Sequence, residues 1–98
     1  MITSKQRKYL KGLAHKIEPV LQIGKSGITE NVLKQMEEAL EARELVKVKV
    51  LNNSLLDANE VANEVSETLR AEFVQSIGNK FTIYRESEDK KRIELPKK

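Results

Sequence analysis

Apolar residues recur along this chain in two periods, and the switches between them mark out seven segments. Thr3-Ser4-Lys5-Gln6 has capping-box spacing, and Leu10, Leu13, Ala14 and Ile17 then repeat at helical intervals to form one stripe. Pro19 is expected to end this helix. Val20-Leu21-Gln22-Ile23 is a short β run that stops at Gly24. Thr29 suits the N-cap of a second helix, with Ile28 and Leu33 at hydrophobic-staple positions. Val32, Leu33, Met36, Ala39 and Leu40 form its buried stripe, and Glu37, Glu38 and Glu41 its acidic outer side. From Leu45 to Leu51 the period drops to two: Val46, Val48 and Val50 point one way, Lys47 and Lys49 the other. Asn52-Asn53-Ser54 breaks that strand. Asp57 and Glu60 then have capping-box spacing, with Leu56 and Val61 as a staple, before the stripe Ala58, Val61, Ala62, Val65 and Leu69.

The remainder reads as a hairpin. Phe73–Ile77 and Lys80–Arg85 flank Gly78-Asn79, a two-residue turn signal. Such a turn pairs Ile77 with Lys80, Gln75 with Thr82 and Phe73 with Tyr84, and places Val74, Ser76, Phe81 and Ile83 on the opposite face. Past Arg85 the chain turns charged, and Ile93 and Leu95 alternate before Pro96.

The predicted order is therefore α-β-α-β-α-β-β, an α/β fold. Right-handed β-α-β crossovers make the early strands parallel, and the hairpin adds an antiparallel strand, giving a four-stranded mixed sheet. One face of that sheet is apolar enough to carry helices: Leu21, Ile23, Val46, Val48, Val50, Val74, Phe81 and Ile83. The other is mixed: Gln22, Lys47, Lys49, Phe73, Gln75, Ile77, Thr82 and Tyr84. A two-layer sandwich with one face at least partly open follows. With 98 residues, one domain spanning 1–98 is expected, its tail 86–98 loosely attached or forming a short extra strand.

Charge changes the picture more than composition does. The net charge is only +3, but the running balance is +5 over residues 1–27, −3 over 28–45, +2 over 46–56, −4 over 57–72 and +3 over 73–98. Segregation of this kind can place a basic face on a nearly neutral molecule, the electrostatic footprint of a polyanion partner. On the first helix Lys5, Arg7, Lys8, Lys11, His15 and Lys16 all fall outside the apolar stripe. There is no cysteine, which excludes disulfides, thiolate metal sites and thiol nucleophiles. No apolar run approaches the ~20 residues of a membrane span, and the basic N-terminus lacks the apolar segment of a secretory signal. A cytoplasmic protein without a membrane partner is expected.

Ile23-Gly24-Lys25-Ser26-Gly27 suggests phosphate, and three chemistries compete for it. A nucleotide-binding P-loop needs a first glycine at position 19, which is Pro19, and the four intervening residues are the strand itself. No nucleotide cofactor is expected. One histidine and no cysteine leave little for nucleophilic or metal catalysis, and Asp57 and Glu60 have a capping role. We expect neither an enzyme nor a metal site. The third chemistry is a nucleic-acid backbone. A Gly-x-x-Gly loop before a helix lets the chain approach a phosphodiester, free N–H groups at the helix start favour an anion, and Lys25 adds a mobile positive charge. An isolated match is more often an ordinary strand-to-helix turn. Here it lies beside a basic helix and a lysine-bearing strand.

Thr3-Ser4-Lys5-Gln6-Arg7, Gly12-Leu13-Ala14-His15, Ile23-Gly24-Lys25-Ser26-Gly27, Thr29-Glu30-Asn31-Val32, Glu44-Leu45-Val46-Lys47-Val48-Lys49-Val50, Val74-Gln75-Ser76-Ile77-Gly78, Tyr84-Arg85 and Ile93-Glu94-Leu95-Pro96 lie in order along nearly the whole chain. Together they resemble the bacterial single-domain CRM proteins, the YhbY family. Ser26 stands where glycine is common in that family, and Arg43 where histidine is common. The resemblance implies a fold like the C-terminal domain of translation initiation factor three, RNA binding through the GxxG loop and adjoining basic surface, and association with precursors of the large ribosomal subunit. On this reading Gly24, Lys25, Ser26 and Gly27 form the RNA-binding loop, and Lys5, Arg7, Lys8, Lys11, Lys47 and Lys49 supply supporting charge. The partner is then ribosomal RNA, the function assistance in large-subunit assembly, and the protein a monomer. The competing expectation is a protein-interaction module using the acidic helices or the mixed sheet face. The bland reading of Phe73 and Tyr84 is a cross-strand aromatic pair covered by the tail.

Overall fold

The computed structural model describes residues 2–51, 57–89 and 91–97. The chain forms α1 (Ser4–Ala14), β1 (Leu21–Ile23), α2 (Glu30–Arg43), β2 (Leu45–Val50), α3 (Ala58–Leu69), β3 (Glu72–Ile77) and β4 (Lys80–Tyr84). This is the expected order, and the strands make one four-stranded mixed sheet, β1-β2-β4-β3, with β1 parallel to β2 and the other pairs antiparallel. The expected strand break at Asn52-Asn53-Ser54 and the Leu56 half of the third staple lie outside the described residues.

The caps follow the local sequence. Thr3 accepts the Gln6 N–H while the Gln6 side chain accepts the Thr3 N–H, a complete capping box. Thr29 accepts from Val32 N–H at 3.1 Å, and Asp57 from Glu60 N–H at 3.3 Å. α1 ends at Ala14, well before Pro19. His15 caps it, and Lys16 and Ile17 turn back onto the Leu13 and Ala14 carbonyls, so the chain has left the helix before proline can act.

Two apolar clusters lie on opposite faces of the sheet. α2 and α3 bury the larger one, centred on Ile23, Met36, Leu40, Val46, Val48, Val65, Phe81 and Ile83. The smaller one joins Leu10 of α1 to Leu45, Val74 and Tyr84, with Leu13, Ile17, Ile93 and Leu95 packed around it. The mixed face is therefore covered at one end, by α1 and the tail, and open at the other.

The hairpin register corrects one expectation. Ile77 pairs with Lys80 and Gln75 with Thr82, as the turn predicts, but Phe73 pairs with Ile83 and Glu72 with Tyr84. Val74 is the extra residue of a β-bulge between Phe73 and Gln75. Because side chains alternate, one inserted residue exchanges the faces. Phe73 joins the larger core instead of meeting Tyr84, and Val74 crosses to the α1 side. The aromatic pair does not form; Tyr84 does lie beneath the tail residues Ile93 and Leu95. The Arg7 guanidinium helps hold the bulge, its Nε donating to the Phe73 carbonyl at 3.1 Å.

Candidate nucleic-acid interface

The Gly24–Gly27 loop is a tight turn closed by Gly27 N–H donating to the Gly24 carbonyl at 3.0 Å. Gly27 has φ 70°, a conformation that costs an L-residue roughly 1–2 kcal/mol, so the turn itself accounts for this glycine. Gly24 differs. Among the described residues, a Cβ there would meet only Leu51 Cδ1 at 3.5 Å, an ordinary contact. No described neighbour requires a glycine at position 24, whereas close approach by a ligand would. Lys25 and Ser26 sit exposed at the tip. The start of α2 is less available to an anion than its sequence suggests, because Thr29 already takes the Val32 N–H and Glu30 places a carboxylate in the first turn. The loop's positive charge is that of Lys25.

What surrounds the loop is set by sheet topology. Leu51 N–H donates to the Ile23 carbonyl, and Val50 N–H to the Asn79 carbonyl. The Gly24–Gly27 loop, the end of β2 and the β3–β4 turn therefore meet at one end of the sheet. The pairing registers align Gln22, Lys49, Lys80 and Ile77 in a row across all four strands at this end. Lys47, Thr82 and Gln75 form the next row. Leu45 and Tyr84 form the third, beneath α1 and the tail.

The ten predicted site residues divide accordingly. Gly24, Lys25, Ser26, Gly27 and Lys49 lie at the open end. Lys47 is one row back, with its Nζ donating to the Ile17 carbonyl at 3.2 Å, which ties the α1–β1 connection to β2. Arg7 is committed in part to the bulge at Phe73. Lys5, Lys8 and Lys11 are exposed along α1. Among the described residues, none of the lysines at 5, 8, 11, 25, 47, 49 and 80 has an ion-pair partner within 4.0 Å; the pairs present are Arg85–Glu37 and Lys91–Glu86.

The sequence does not single out Lys80 as a site residue, and it places His15 only on the polar side of the first helix. The register sets Lys80 directly opposite Lys49, and His15 overlooks the same surface from the end of α1, in a hollow with Lys47, Gln75 and Ile77. The hairpin alone predicted that Lys80 neighbours Ile77. That β4, and not β3, pairs with β2 is a tertiary fact.

The acidic residues serve another purpose. Glu44 is fully buried with φ 67°, and its carboxylate accepts the N–H groups of Ser87 (2.8 Å), Arg92 (2.6 Å) and Ile93 (2.7 Å). Burial pushes this carboxyl up; the three N–H donors and the nearby Lys91 charge outweigh burial and hold it below its ordinary value. Glu41 is also held low, first by the Ser87 hydroxyl that donates to it, against a smaller opposing effect of desolvation, with help from the Glu88 and Asp89 N–H groups and the Arg85 charge. Two carboxylates at the end of α2 thus clamp the C-terminal segment onto the closed end. Tyr84 beneath it is pushed up to about 12 by burial and by the charges of Glu44 and Glu86.

Comparison with known proteins agrees with this architecture. Residues 2–85 match the model of the CRS1/YhbY (CRM) domain. The chain is 48% identical to the Bacillus subtilis protein named Probable RNA-binding protein YqeI, over 98% of this chain and all of that one. It is 41% identical to a Haemophilus influenzae protein named RNA-binding protein, over 99% of this chain and 97% of that one. The solution structure of a Staphylococcus aureus protein, 54% identical, superposes with a TM-score of 0.82 over 98% of this chain and all of the other.

Proposed function

Because the chain belongs to the CRS1/YhbY (CRM) family, we propose that it is an RNA-binding protein that grips the sugar–phosphate backbone at the Gly24–Gly27 loop. The observation that carries this reading is the meeting, at one sheet end, of a glycine that no described neighbour requires and three lysines, Lys25, Lys49 and Lys80, without acidic partners among the described residues. Close approach at Gly24 and unneutralised charge around it suit a phosphodiester, and such contacts position an RNA more than they read its bases. The names of the relatives support RNA as the partner. We further propose that the RNA is that of the large ribosomal subunit or its precursor, bound by the monomer in the cytoplasm during assembly, with no catalytic step.

Lys25→Glu tests the loop. Structured-RNA affinity should fall and the salt dependence flatten by about one unit of slope, the loss of one phosphate contact, with the thermal unfolding midpoint unchanged. Unaltered affinity and slope would remove Lys25 from the mechanism. Crosslinking in cells, with the contacted nucleotides mapped, tests the ribosomal assignment. Reads spread without preference over all cellular RNA would reject it.

A further inference from the structure

The loop has two flanks of opposite character. On one, Gly27 and Ile28 share a shallow hollow with Glu60 and Glu64 of α3. On the other lies the open row Gln22–Lys49–Lys80–Ile77. Resting on the RNA reading above, we propose that a single-stranded RNA segment leaves the Gly24–Gly27 loop across this open sheet row, with Lys49 and Lys80 on its phosphates and Ile77 beneath a base.

Charge sets the direction. A polyanion leaving over α3 would meet carboxylates at once, and like-charge juxtaposition of this kind is strongly unfavourable. The residues of the two sheet rows at this end, Gln22, Lys47, Lys49, Gln75, Ile77, Lys80 and the buried Thr82, include no acid. Lys49 and Lys80 are direct cross-strand partners. Like charges so placed destabilise a sheet, and a phosphate between them removes the repulsion. The row crosses four strands at about 4.8 Å each, so it presents roughly 14 Å of track, continuous with the loop where β1 ends.

Shape sets the strandedness. Behind the row, the end of α1 and the second row enclose a hollow of about 280 Å³, bordered by His15, Lys47, Gln75 and Ile77. It is at the small end of ligand-sized pockets and admits a splayed base, which a duplex keeps stacked inside. Ile77 is 59% exposed, an aliphatic surface beside amide and ammonium groups. The amides of Gln75 and Asn79, which also borders the hollow, can each donate to or accept from a base edge.

The test uses the full chain with a random-sequence 20-nucleotide RNA, single-stranded or as a duplex. A photoreactive benzoylphenylalanine is placed at position 77 or at position 64, and Lys80→Glu is compared with Lys25→Glu. We expect crosslinks from position 77 and none from 64, preference for the single strand, and about tenfold weaker binding by Lys80→Glu with one unit less salt slope. Weakening by Lys25→Glu alone, with Lys80→Glu binding as the parent does, would overturn the track and leave the loop reading intact. Crosslinking from position 64, or equal binding of duplex, would also overturn it. Absence of RNA binding by the parent protein would overturn both readings. Recovery of a polypeptide, and not RNA, on the position-77 probe after crosslinking in cells would give the face to a protein partner instead.

Discussion

At one end of the sheet's second face, Leu45, Val74 and Tyr84 lie under α1 and the C-terminal segment; at the other, Lys80 and Ile77 lie exposed beside a half-buried Lys49. β2, β3 and β4 pass through both ends, so the difference lies in what covers each end as well as in the strands themselves. The closed end satisfies its polar groups internally: Glu44 takes three backbone N–H groups, and Glu41 takes the Ser87 hydroxyl and the Glu88 and Asp89 N–H groups. The open end leaves its ammonium groups to solvent and sets two of them side by side. On the function proposed above, one end serves stability and the other a partner of opposite charge. Perturbations should therefore separate them.

The largest effect is expected from Leu10→Ala. Leu10 is fully buried in the smaller cluster, and such truncations cost about 2–5 kcal/mol. Urea denaturation should register this, while RNA affinity per folded molecule stays as it was. A parallel loss of affinity would show that the two ends are coupled.

Glu44→Gln comes next. It keeps the side chain's shape but replaces a charged acceptor of three N–H groups by a neutral one, and hydrogen bonds to charged groups are worth about 1.5–3 kcal/mol each. Part of this loss is recovered if the tail undocks into water, so a net cost of about 2 kcal/mol is expected. The readout is faster amide exchange at Ser87, Arg92 and Ile93, with exchange in β2 and β4 much less affected.

The closed end should also open with pH from both sides. Glu41 and Glu44 are held below their ordinary 4.5, so the stability they add is complete above about pH 4.5 and drains away as pH falls through their folded values. Tyr84 is raised to about 12 from 10.0, so its contribution is complete below pH 10 and disappears as pH rises through about 12. Amide exchange of the tail followed across pH checks both limits. Tail protection that persists unchanged however far pH falls below 4.5 would remove the carboxylate clamp from the account.

Lys80→Gln should give the smallest shift and of the opposite sign. Removing one of two facing lysines relieves a cross-strand repulsion worth about 0.2–1 kcal/mol. The melting temperature should rise slightly at low salt and converge with the parent's at high salt, as screening removes the term. RNA affinity should fall at the same time.

Much of this molecule was legible along the chain. Thr3, Thr29 and Asp57 announced three helix starts, because capping is a contact between residues three apart. The alternation of Val46, Val48 and Val50 with Lys47 and Lys49 gave both faces of β2, and Gly78-Asn79 gave the hairpin turn. Of the candidate site, the glycine loop and Lys49 were legible. Lys80 was not, since its place opposite Lys49 depends on strand order. Nor was the role of Glu44, which in sequence is one more acid at the end of an acidic helix; three of the groups that define it arrive from more than forty residues away.

The sequence by itself determined the order of elements, where the helices begin and which residues of each are apolar. These follow from interactions within a few residues, whose periods of 3.6 and 2 are written in the chain. Tertiary structure alone decided the bulge that turns Val74 and Phe73 to opposite faces, the β1-β2-β4-β3 order that joins Lys49 to Lys80, and the coverage that closes one end of the sheet and leaves the other bare. Each of these is a choice among pairings distant in sequence, and it is made by the summed burial and hydrogen bonding of the whole fold.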